Sequence, residues 1–232
     1  MLAKLLFTEQ FAFSKGDSVV VIGLGRFGSS VARSLMRLGH DVMGIDRDPE
    51  PVHAWADLLT HAVQADSTNT MVLRQLGVAD FSHAIVGIGT DLAASLMTIM
   101  ALSELGIKDI WAKALTVEHG QIAQRIGAHH VVYPEADMGE RVAHLISGRM
   151  VDFIEFDDGF AIAKIHAPAP THNLRLADSS VRGKYGVTVV GLKRANENFR
   201  HATSDTLILP GDLLVVSGPT HQIQAFAGQT RP

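Results

Sequence analysis

Length, composition and charge exclude several classes of protein. The chain has 232 residues, 47% of them hydrophobic, which is enough to bury one large core or a medium core and a small one. Its 20 Lys and Arg against 24 Asp and Glu give a net charge of −4, so it offers no basic field that would hold nucleic acid. It contains no Cys, which excludes a disulfide scaffold, a thiolate metal site and a Cys nucleophile.

Residues 1–17 are predicted to form an N-terminal extension. The stretch MLAKLLFTEQFAF is interrupted by Lys4 and Glu9 and lacks the apolar core and cleavage site of a signal peptide. No apolar run in the chain approaches the roughly 20 residues that span a bilayer. We therefore expect a cytoplasmic protein, which would serve a membrane process only as a separate subunit.

Residues 18–150 predict a domain built on a parallel sheet. Short apolar runs alternate with amphipathic segments, which is typical of βαβ units with helices on both faces of the sheet. The predicted strands are SVVVIGL, DVMGID, HAIVGI, DIWAKAL and HHVVYP. The predicted helices occupy residues 29–38, 53–59, 91–105, 117–126 and 135–147, and left-handed residues at Gly39, Gly106 and Gly127 end three of them. The pattern indicates an α/β, Rossmann-like, doubly wound domain that includes a final crossover helix.

Residues 151–232 predict a smaller, β-rich α+β domain. In FIEFDDGFAIAKI the apolar residues alternate with period two, and Asp158-Gly159 stands between the two runs as a hairpin turn. The runs VTVVGLKR and LLVVS continue the pattern, and one short helix is expected near the C-terminus. The segment HAPAPTHN predicts an exposed connection, since closely spaced Pro residues do not fit a central strand.

The most informative motif is the turn after the first strand. Gly23-Leu24-Gly25-Arg26-Phe27-Gly28 fits G-x-G-x-x-G between a strand and a helix, the context in which this pattern binds nucleotides. The first Gly permits the tight turn, the second lets a pyrophosphate approach the backbone, and the third lets the helix pack against the strand. Asp46 ends the second strand and can accept hydrogen bonds from ribose hydroxyls, which disfavours a 2′-phosphate, although the neighbouring Arg47 leaves that question open. The motif does not decide which nucleotide binds.

Signals for catalysis are weak by comparison. A dehydrogenase needs a positioned proton donor or acceptor beside its cofactor. Neither Tyr133 nor Tyr185 is followed by Lys four positions later, no Walker A loop is present, and the 12 His form no H-E-x-x-H pattern. Three alternatives stay open in this order: a non-catalytic nucleotide sensor, an NAD-dependent oxidoreductase, and a nucleotide-binding assembly scaffold.

Four segments resemble one known family. The runs VVVIGLGRFGSSVARSL, DRD, A-D-S-T at 65–68 and Y-P-E-A-D-M-G at 133–139 resemble the RCK (TrkA-type) domain family, and VRGKYGVTVVGLKR and LILPGDLLVVSG resemble its C-terminal lobe. Within the family the likeness is to the cytoplasmic regulatory subunits of bacterial Ktr potassium channels. The resemblance implies a non-catalytic octameric ring, built from dimers, beneath a separate membrane potassium-channel subunit. It also implies that ATP and ADP favour different ring shapes, with NAD(H) a less favoured ligand.

The resemblance further implies which residues bind the nucleotide. They are Gly23, Leu24, Gly25, Arg26, Phe27, Gly28, Asp46, Arg47, Asp66, Ser67, Ile88, Gly89 and Lys113. Arg26 corresponds to an Arg that reaches the γ-phosphate of a nucleotide held by the neighbouring subunit. Lys113 ends a predicted strand, and sites in open α/β sheets lie at the carboxyl ends of strands, so topology also places it at the phosphates.

Two further sites are implied by the resemblance alone. Glu135 would help to hold a divalent cation, Mg²⁺ or Ca²⁺, near the phosphates, and it could equally be a helix-terminal carboxylate that interacts with the helix dipole. In the C-terminal lobe, Val181, Arg182 and Thr188 match positions that bind cyclic di-AMP in some relatives, although those relatives tend to carry Asn where this chain has Thr188.

Val142, Leu145 and Ile146 share one face of the predicted helix after Glu135, so we expect this face to pack against a partner subunit.

Overall fold

The computed structural model describes residues 17–146, 150–156 and 158–229, without the side chains of residues 144 and 145. Six parallel strands form the first sheet, in the order β3-β2-β1-β4-β5-β6. They are β1 (Ser18–Ile22), β2 (Asp41–Asp46), β3 (His61–Gln64), β4 (His83–Val86), β5 (Asp109–Lys113) and β6 (His130–Val132). The predicted parallel, doubly wound sheet is confirmed. The predicted N-terminal extension lies outside the described residues except for Asp17.

The helices that follow the strands are α1 (Arg26–Leu38), α2 (Pro49–Trp55), α3 (Thr70–Gln75), α4 (Leu92–Glu104), α5 (Val117–Arg125) and α6 (Pro134–Ile146). Gly39, Gly106 and Gly127 all have the left-handed backbone expected of helix ends, with φ of 88°, 82° and 120°. Side chains of Asp48, Asn69, Asp91 and Thr116 cap the starts of α2, α3, α4 and α5.

Both faces of the first sheet are buried, as the sequence of β1 shows. Val19 and Val21 face one hydrophobic cluster with Ala32 of α1, while Val20 and Ile22 face the other. These four strand residues are at most 1% exposed. Strict burial on both sides explains why the strand is apolar throughout instead of alternating, and it fixes the sheet as the middle of three layers.

The second unit is an antiparallel sheet with short helices. Its five-stranded sheet has the order β11-β10-β13-β8-β7, and β12 and β9 form a separate two-stranded pair. The strands are β7 (Asp152–Glu155), β8 (Phe160–His166), β9 (Leu174–Arg175), β10 (Thr188–Lys193), β11 (Arg200–His201), β12 (Leu207–Ile208) and β13 (Leu213–Pro219). The helices are α7 (Leu176–Ser179), α8 (Val181–Tyr185) and α9 (Thr220–Ala227), and α9 covers β8 and β13 with Ile223 and Phe226 in the core.

Several local predictions were wrong. The helix of the glycine-rich turn begins at Arg26 and not at residue 29, because the carbonyl of Gly25 already accepts from the N–H of Ser29. Helix α2 begins earlier than predicted because Asp48 caps it, and α7 and α8 add two helices to the one expected in the second unit. The strand β3 and the helix α3 were not predicted.

The segment 166–173 is less exposed than predicted. Ala167, Pro168 and Thr171 are buried, and the hydroxyl of Thr171 donates to the carbonyl of Pro168 within a short 3-10 turn. The N–H of Ala167 donates to the carbonyl of Asp212, which ties the segment to the start of β13. Closely spaced Pro residues kept the segment out of a central strand, as expected, but did not keep it in solvent.

The contacts between residues divide the chain into two compact units, and the boundary between the first and the second unit falls after Ala136, within α6. The sequence predicted the change at residues 150–151, where the β pattern begins, and that boundary stays a prediction. Val142 and Ile146 are exposed on α6. The side chain of Leu145, which was expected to join them, lies outside the described residues. Over the part of the chain described here, no helix has the length and apolar character needed to cross a membrane.

Candidate nucleotide site

A cleft of about 610 Å³ opens at the carboxyl ends of the strands in the first unit. It lies where the chain order reverses, because β1 is flanked by β2 on one side and by β4 on the other. This switch point is where open α/β sheets bind their ligands. The predicted residues that line the cleft are Gly23, Gly25, Arg26, Phe27, Asp46, Arg47, Asp66, Ser67, Ile88, Gly89, Lys113 and Glu135.

The three motif glycines have separate steric roles. Gly23 has φ of 90°, and a Cβ there would lie 3.1 Å from the backbone at Gly87 and Ile88. A Cβ on Gly28 would lie 1.9 Å from the carbonyl oxygen of Gly23, so the helix lies too close to the turn for any side chain. A Cβ on Gly25 would meet no atom within 4 Å. The loop therefore leaves open space where a pyrophosphate would approach the backbone.

Two predicted site residues support the loop without lining the cleft. Leu24 is 3% exposed and belongs to the hydrophobic cluster on the α1 side of the sheet. Gly28 is buried at the close approach between helix and turn. Gly28 therefore has the packing role that the motif predicts for its third glycine, and Leu24 anchors the turn in the hydrophobic cluster.

Asp46 holds the glycine-rich loop in place. Its Oδ2 accepts from the N–H of Leu24 at 2.7 Å, and its Oδ1 accepts from the N–H of Asp48 at 3.0 Å. The carboxylate therefore faces the loop and keeps acceptor capacity for ribose hydroxyls, since each ionised oxygen can accept more than one hydrogen bond. Asp46 lines the cleft, and its contact with a ribose stays a prediction.

An ion pair joins two residues that line the cleft. Nη1 of Arg47 lies 3.2 Å from Oδ2 of Asp91, the residue that caps α4. The hydrogen bond from the N–H of Ala94 and the charge of Arg47 hold the pKa of Asp91 below its usual range. Asp91 was not among the predicted site residues. Its signal was present in the sequence, as an Asp at the first position of a predicted helix and two residues after Gly89.

Asp66 and Ser67 lie in the loop after β3 with their own partners. Oδ1 of Asp66 accepts from the hydroxyl of Thr68 at 2.7 Å and from its N–H at 3.0 Å, and these bonds lower the pKa of the carboxyl. The hydroxyl of Ser67 is 2.8 Å from that of Thr98, and both residues are buried. Bonds within the chain therefore fix Asp66 and Ser67 in position, and Thr68 lines the cleft beside them.

Two basic side chains, Arg26 and Lys113, also line the cleft. The side chain of Lys113 is 10% exposed, and its Nζ lies 2.6 Å from Oε1 of Glu135 and 5.8 Å from the centre of the Phe27 ring. The hydrogen bond from Lys113 is the largest influence that lowers the pKa of Glu135, and the charge of Arg26 adds to it. Lys113 thus lies where topology predicted, at the end of β5.

A cation site made of protein ligands alone is not found among the described residues, where no three His, Asp or Glu side chains form a group suited to a metal. Glu135 is 59% exposed and faces the cleft. This arrangement fits the way in which Mg²⁺ is held by one carboxylate together with nucleotide phosphates and water.

In the second unit, the three residues predicted for cyclic di-AMP differ in exposure. Val181 is 2% exposed and packs in the core, Arg182 is exposed at the start of α8, and Thr188 is half-buried at the start of β10. A ligand would therefore meet the side chain of Arg182 but not that of Val181.

Together, the parallel sheet, its glycine-rich turn and the switch-point cleft define a Rossmann-like domain of the nucleotide-binding type, followed by a small β-rich unit. The TrkA-N domain model matches residues 19–134 and the TrkA-C domain model matches residues 160–229. The chain belongs to the family of proteins in which a TrkA-N domain precedes a TrkA-C domain, which confirms the resemblance seen in the sequence.

Individual relatives agree with the family assignment. Ktr system potassium uptake protein C of Bacillus subtilis is 38% identical over 207 residues, which cover 89% of this chain and 94% of that protein. Ktr system potassium uptake protein A of the same organism is 35% identical over 93% of this chain and 97% of that protein.

Solved structures confirm the fold. The RCK domain of GsuK superposes with a TM-score of 0.63 at 16% identity, covering all of this chain and 50% of that chain. The GsuK channel bound to NAD gives a TM-score of 0.62 at 16% identity, covering all of this chain and 41% of that chain. This chain therefore spans half or less of those solved chains.

Proposed function

We propose that this chain is the non-catalytic regulatory subunit of a bacterial potassium-uptake channel and that it senses ATP and ADP. The observation that carries the nucleotide part is the preformed cleft, with open backbone at Gly25, an acceptor at Asp46 and a buried ammonium at Lys113. The potassium part rests on the relatives, which are named for potassium uptake and match nearly the whole chain.

The geometry favours a nucleotide that carries several phosphates, and the family resemblance implies that its base is adenine. The N–H groups at the start of α1 and the helix dipole would hold the first phosphates, since a helix N-terminus is a natural anion site. Asp46 would accept from the ribose hydroxyls and would repel a 2′-phosphate. Lys113 would then supply charge for the outer phosphates, together with Arg26 of the partner subunit, because ammonium and guanidinium groups both bind phosphate strongly.

A divalent cation and a ring assembly complete the proposal. Mg²⁺ or Ca²⁺ would be held by Glu135 together with the phosphates, where it would neutralise negative charge. Copies of the chain would form an octameric ring from dimers, in which Arg26 of each chain would contact the γ-phosphate of the nucleotide held by its neighbour. A separate membrane channel subunit would be the partner, so the protein would act at the cytoplasmic face of the membrane. Cyclic di-AMP is proposed as a second ligand, through Arg182.

Calorimetric titration tests the sensing role. We expect wild-type protein to bind ATP and ADP more tightly than NADH, and Arg26→Ala to weaken ATP more than ADP, because only ATP has the third phosphate. Arg37→Ala is the matched control, since this substitution removes the same positive charge from the last turn of α1, where Arg37 does not line the cleft. Tighter binding of NADH than of ATP, or equal losses for ATP and ADP in Arg26→Ala, would contradict the proposal.

The assembly is tested by light scattering with and without nucleotide. We expect a mass near eight chains at micromolar concentration, and we expect Val142→Glu to reduce it, because that exposed side chain lies on the face proposed to meet a partner. A monomer in the presence of ATP would refute the ring.

A further inference from the structure

We propose that Glu135 competes with the nucleotide for Lys113, so that binding is an exchange in which a phosphate displaces a carboxylate. This inference rests on the proposed nucleotide site. It concerns which anion is paired with the buried ammonium of Lys113, and what must change when a phosphate arrives.

The position of the ammonium is fixed by its surroundings. Lys113 comes from the end of a buried strand, and its Nζ is 3.1 Å from the point where a Cβ of Gly89 would stand. The Phe27 ring lies on another side and contributes a cation–π contact at 5.8 Å. Lys113 therefore stays at the wall of the cleft, and its counter-ion must come to it.

Other carboxylates that line the cleft have different partners. Asp46 accepts from the N–H groups of Leu24 and Asp48, Asp66 accepts from Thr68, and Asp91 accepts from Ala94 and Arg47. Glu135 is the acid bonded to Lys113, at 2.6 Å.

The two partners of this ion pair are unequal in exposure, and this inequality gives the exchange its direction. Lys113 is 10% exposed, so leaving its charge without an anion is costly. Glu135 is 59% exposed in the first turn of α6, so its carboxylate can turn into water at little cost. A phosphate oxygen that reaches Lys113 would replace the carboxylate, which then becomes free for a cation or a neighbouring chain.

The test is calorimetric titration of ADP in EDTA, which removes divalent ions. We expect Glu135→Gln to bind ADP about 2- to 5-fold more tightly than wild type, the range expected when a partly exposed ion pair no longer has to be broken. Adenosine, which has no phosphate, should bind both proteins equally. Glu118→Gln is the matched control, because it removes an exposed carboxylate from the start of α5 that does not line the cleft.

A double-mutant cycle distinguishes the exchange at Lys113 from simple repulsion between the Glu135 carboxylate and the phosphates of ADP. In a Lys113→Met background, or in Lys113→Gln if the first variant fails to fold, Glu135→Gln should give no gain. A gain that persists there, weaker ADP binding by Glu135→Gln, or a wild-type affinity equal to that of Glu135→Gln would overturn the exchange while leaving the nucleotide site intact. If neither protein binds ADP, the proposed function itself fails and the exchange fails with it.

Discussion

The glycine-rich turn allows a sharp test, because two of its glycines should fail in different ways. In Gly28→Ala the new Cβ would lie 1.9 Å from the carbonyl oxygen of Gly23, whereas ordinary contact begins near 3.4 Å. The helix would have to move by about 1.5 Å against backbone, not against a flexible side chain. Gly25→Ala adds the same methyl group where no atom lies within 4 Å, at an ordinary φ of −67°.

The expected magnitudes follow from these distances. Replacing Gly by Ala inside a helix should stabilise by about 1 kcal/mol, while overpacking costs about 1–3 kcal/mol and sometimes more. Because the overlap at Gly28 is severe and involves backbone, we expect a net loss of about 1–3 kcal/mol. For Gly25→Ala we expect a change in unfolding free energy within about 0.5 kcal/mol, together with at least about a tenfold loss of ATP and ADP affinity.

Tryptophan emission during urea unfolding is a suitable assay, because both Trp residues, Trp55 and Trp111, lie in the first unit. Gly28→Ala should lower the unfolding midpoint by about 1 M, given a typical dependence of 1–3 kcal/mol per molar urea. An unchanged midpoint would show that α1 does not approach the turn as closely as described. Unchanged nucleotide affinity in Gly25→Ala would show that no phosphate passes over that residue.

Three further changes test other parts of the molecule. Asp46→Ala should weaken ATP and ADP binding about tenfold or more, because the ribose and the N–H of Leu24 lose an acceptor; equal affinities by calorimetry would remove Asp46 from the site. Burial lowers the pKa of His119 in the folded protein. As the pH falls below about 6.5, the unfolded chain therefore binds a proton at this residue before the folded protein does. Protonation then favours unfolding, so the free energy of unfolding that this neutral His contributes above about pH 6.5 is lost on acidification. The urea midpoint should therefore fall less from pH 7.5 to pH 5 in His119→Gln than in wild type, and equal falls would contradict this assignment. Asp212→Asn should speed amide hydrogen exchange in the second unit by weakening the bond at 3.0 Å between buried Asp212 and Arg194, and unchanged protection would mean that this pair contributes little.

The parts of the fold that were predicted correctly have strong local signals. Strand β1 is apolar throughout and is followed by the glycine motif, and Gly39 ends its helix in the left-handed conformation that Gly favours. Strand β3 was missed because its four residues are at the edge of the sheet and partly exposed, so they show neither an apolar run nor alternation. The burial of Ala167, Pro168 and Thr171 was missed because backbone bonds to Asp212 and Ile208, which are far away in sequence, hold the two ends of this segment against the rest of the fold.

The candidate site likewise has parts that the sequence predicted and parts that it could not. The motif and the rule that sites lie at strand ends placed Asp46 and Lys113 on the cleft. The sequence could not show that Asp46 already bonds to Leu24, nor that Lys113 pairs with Glu135, because each contact joins residues 22 positions apart through the fold. Asp91 was missed because a capping residue and a cleft residue look alike in a sequence.

The bond between Asp46 and the N–H of Leu24 bears on which nucleotide signal such a protein would respond to. If the proposed site is correct, a carboxylate that is already in place would offer the same ribose contact to ATP and ADP, so its contribution would cancel from the ratio of their affinities. If both nucleotides exceed their dissociation constants in the cell, the cleft is never empty, and its occupancy follows their relative amounts. The subunit would then report the ratio of ATP to ADP and would be indifferent to the total adenine nucleotide pool.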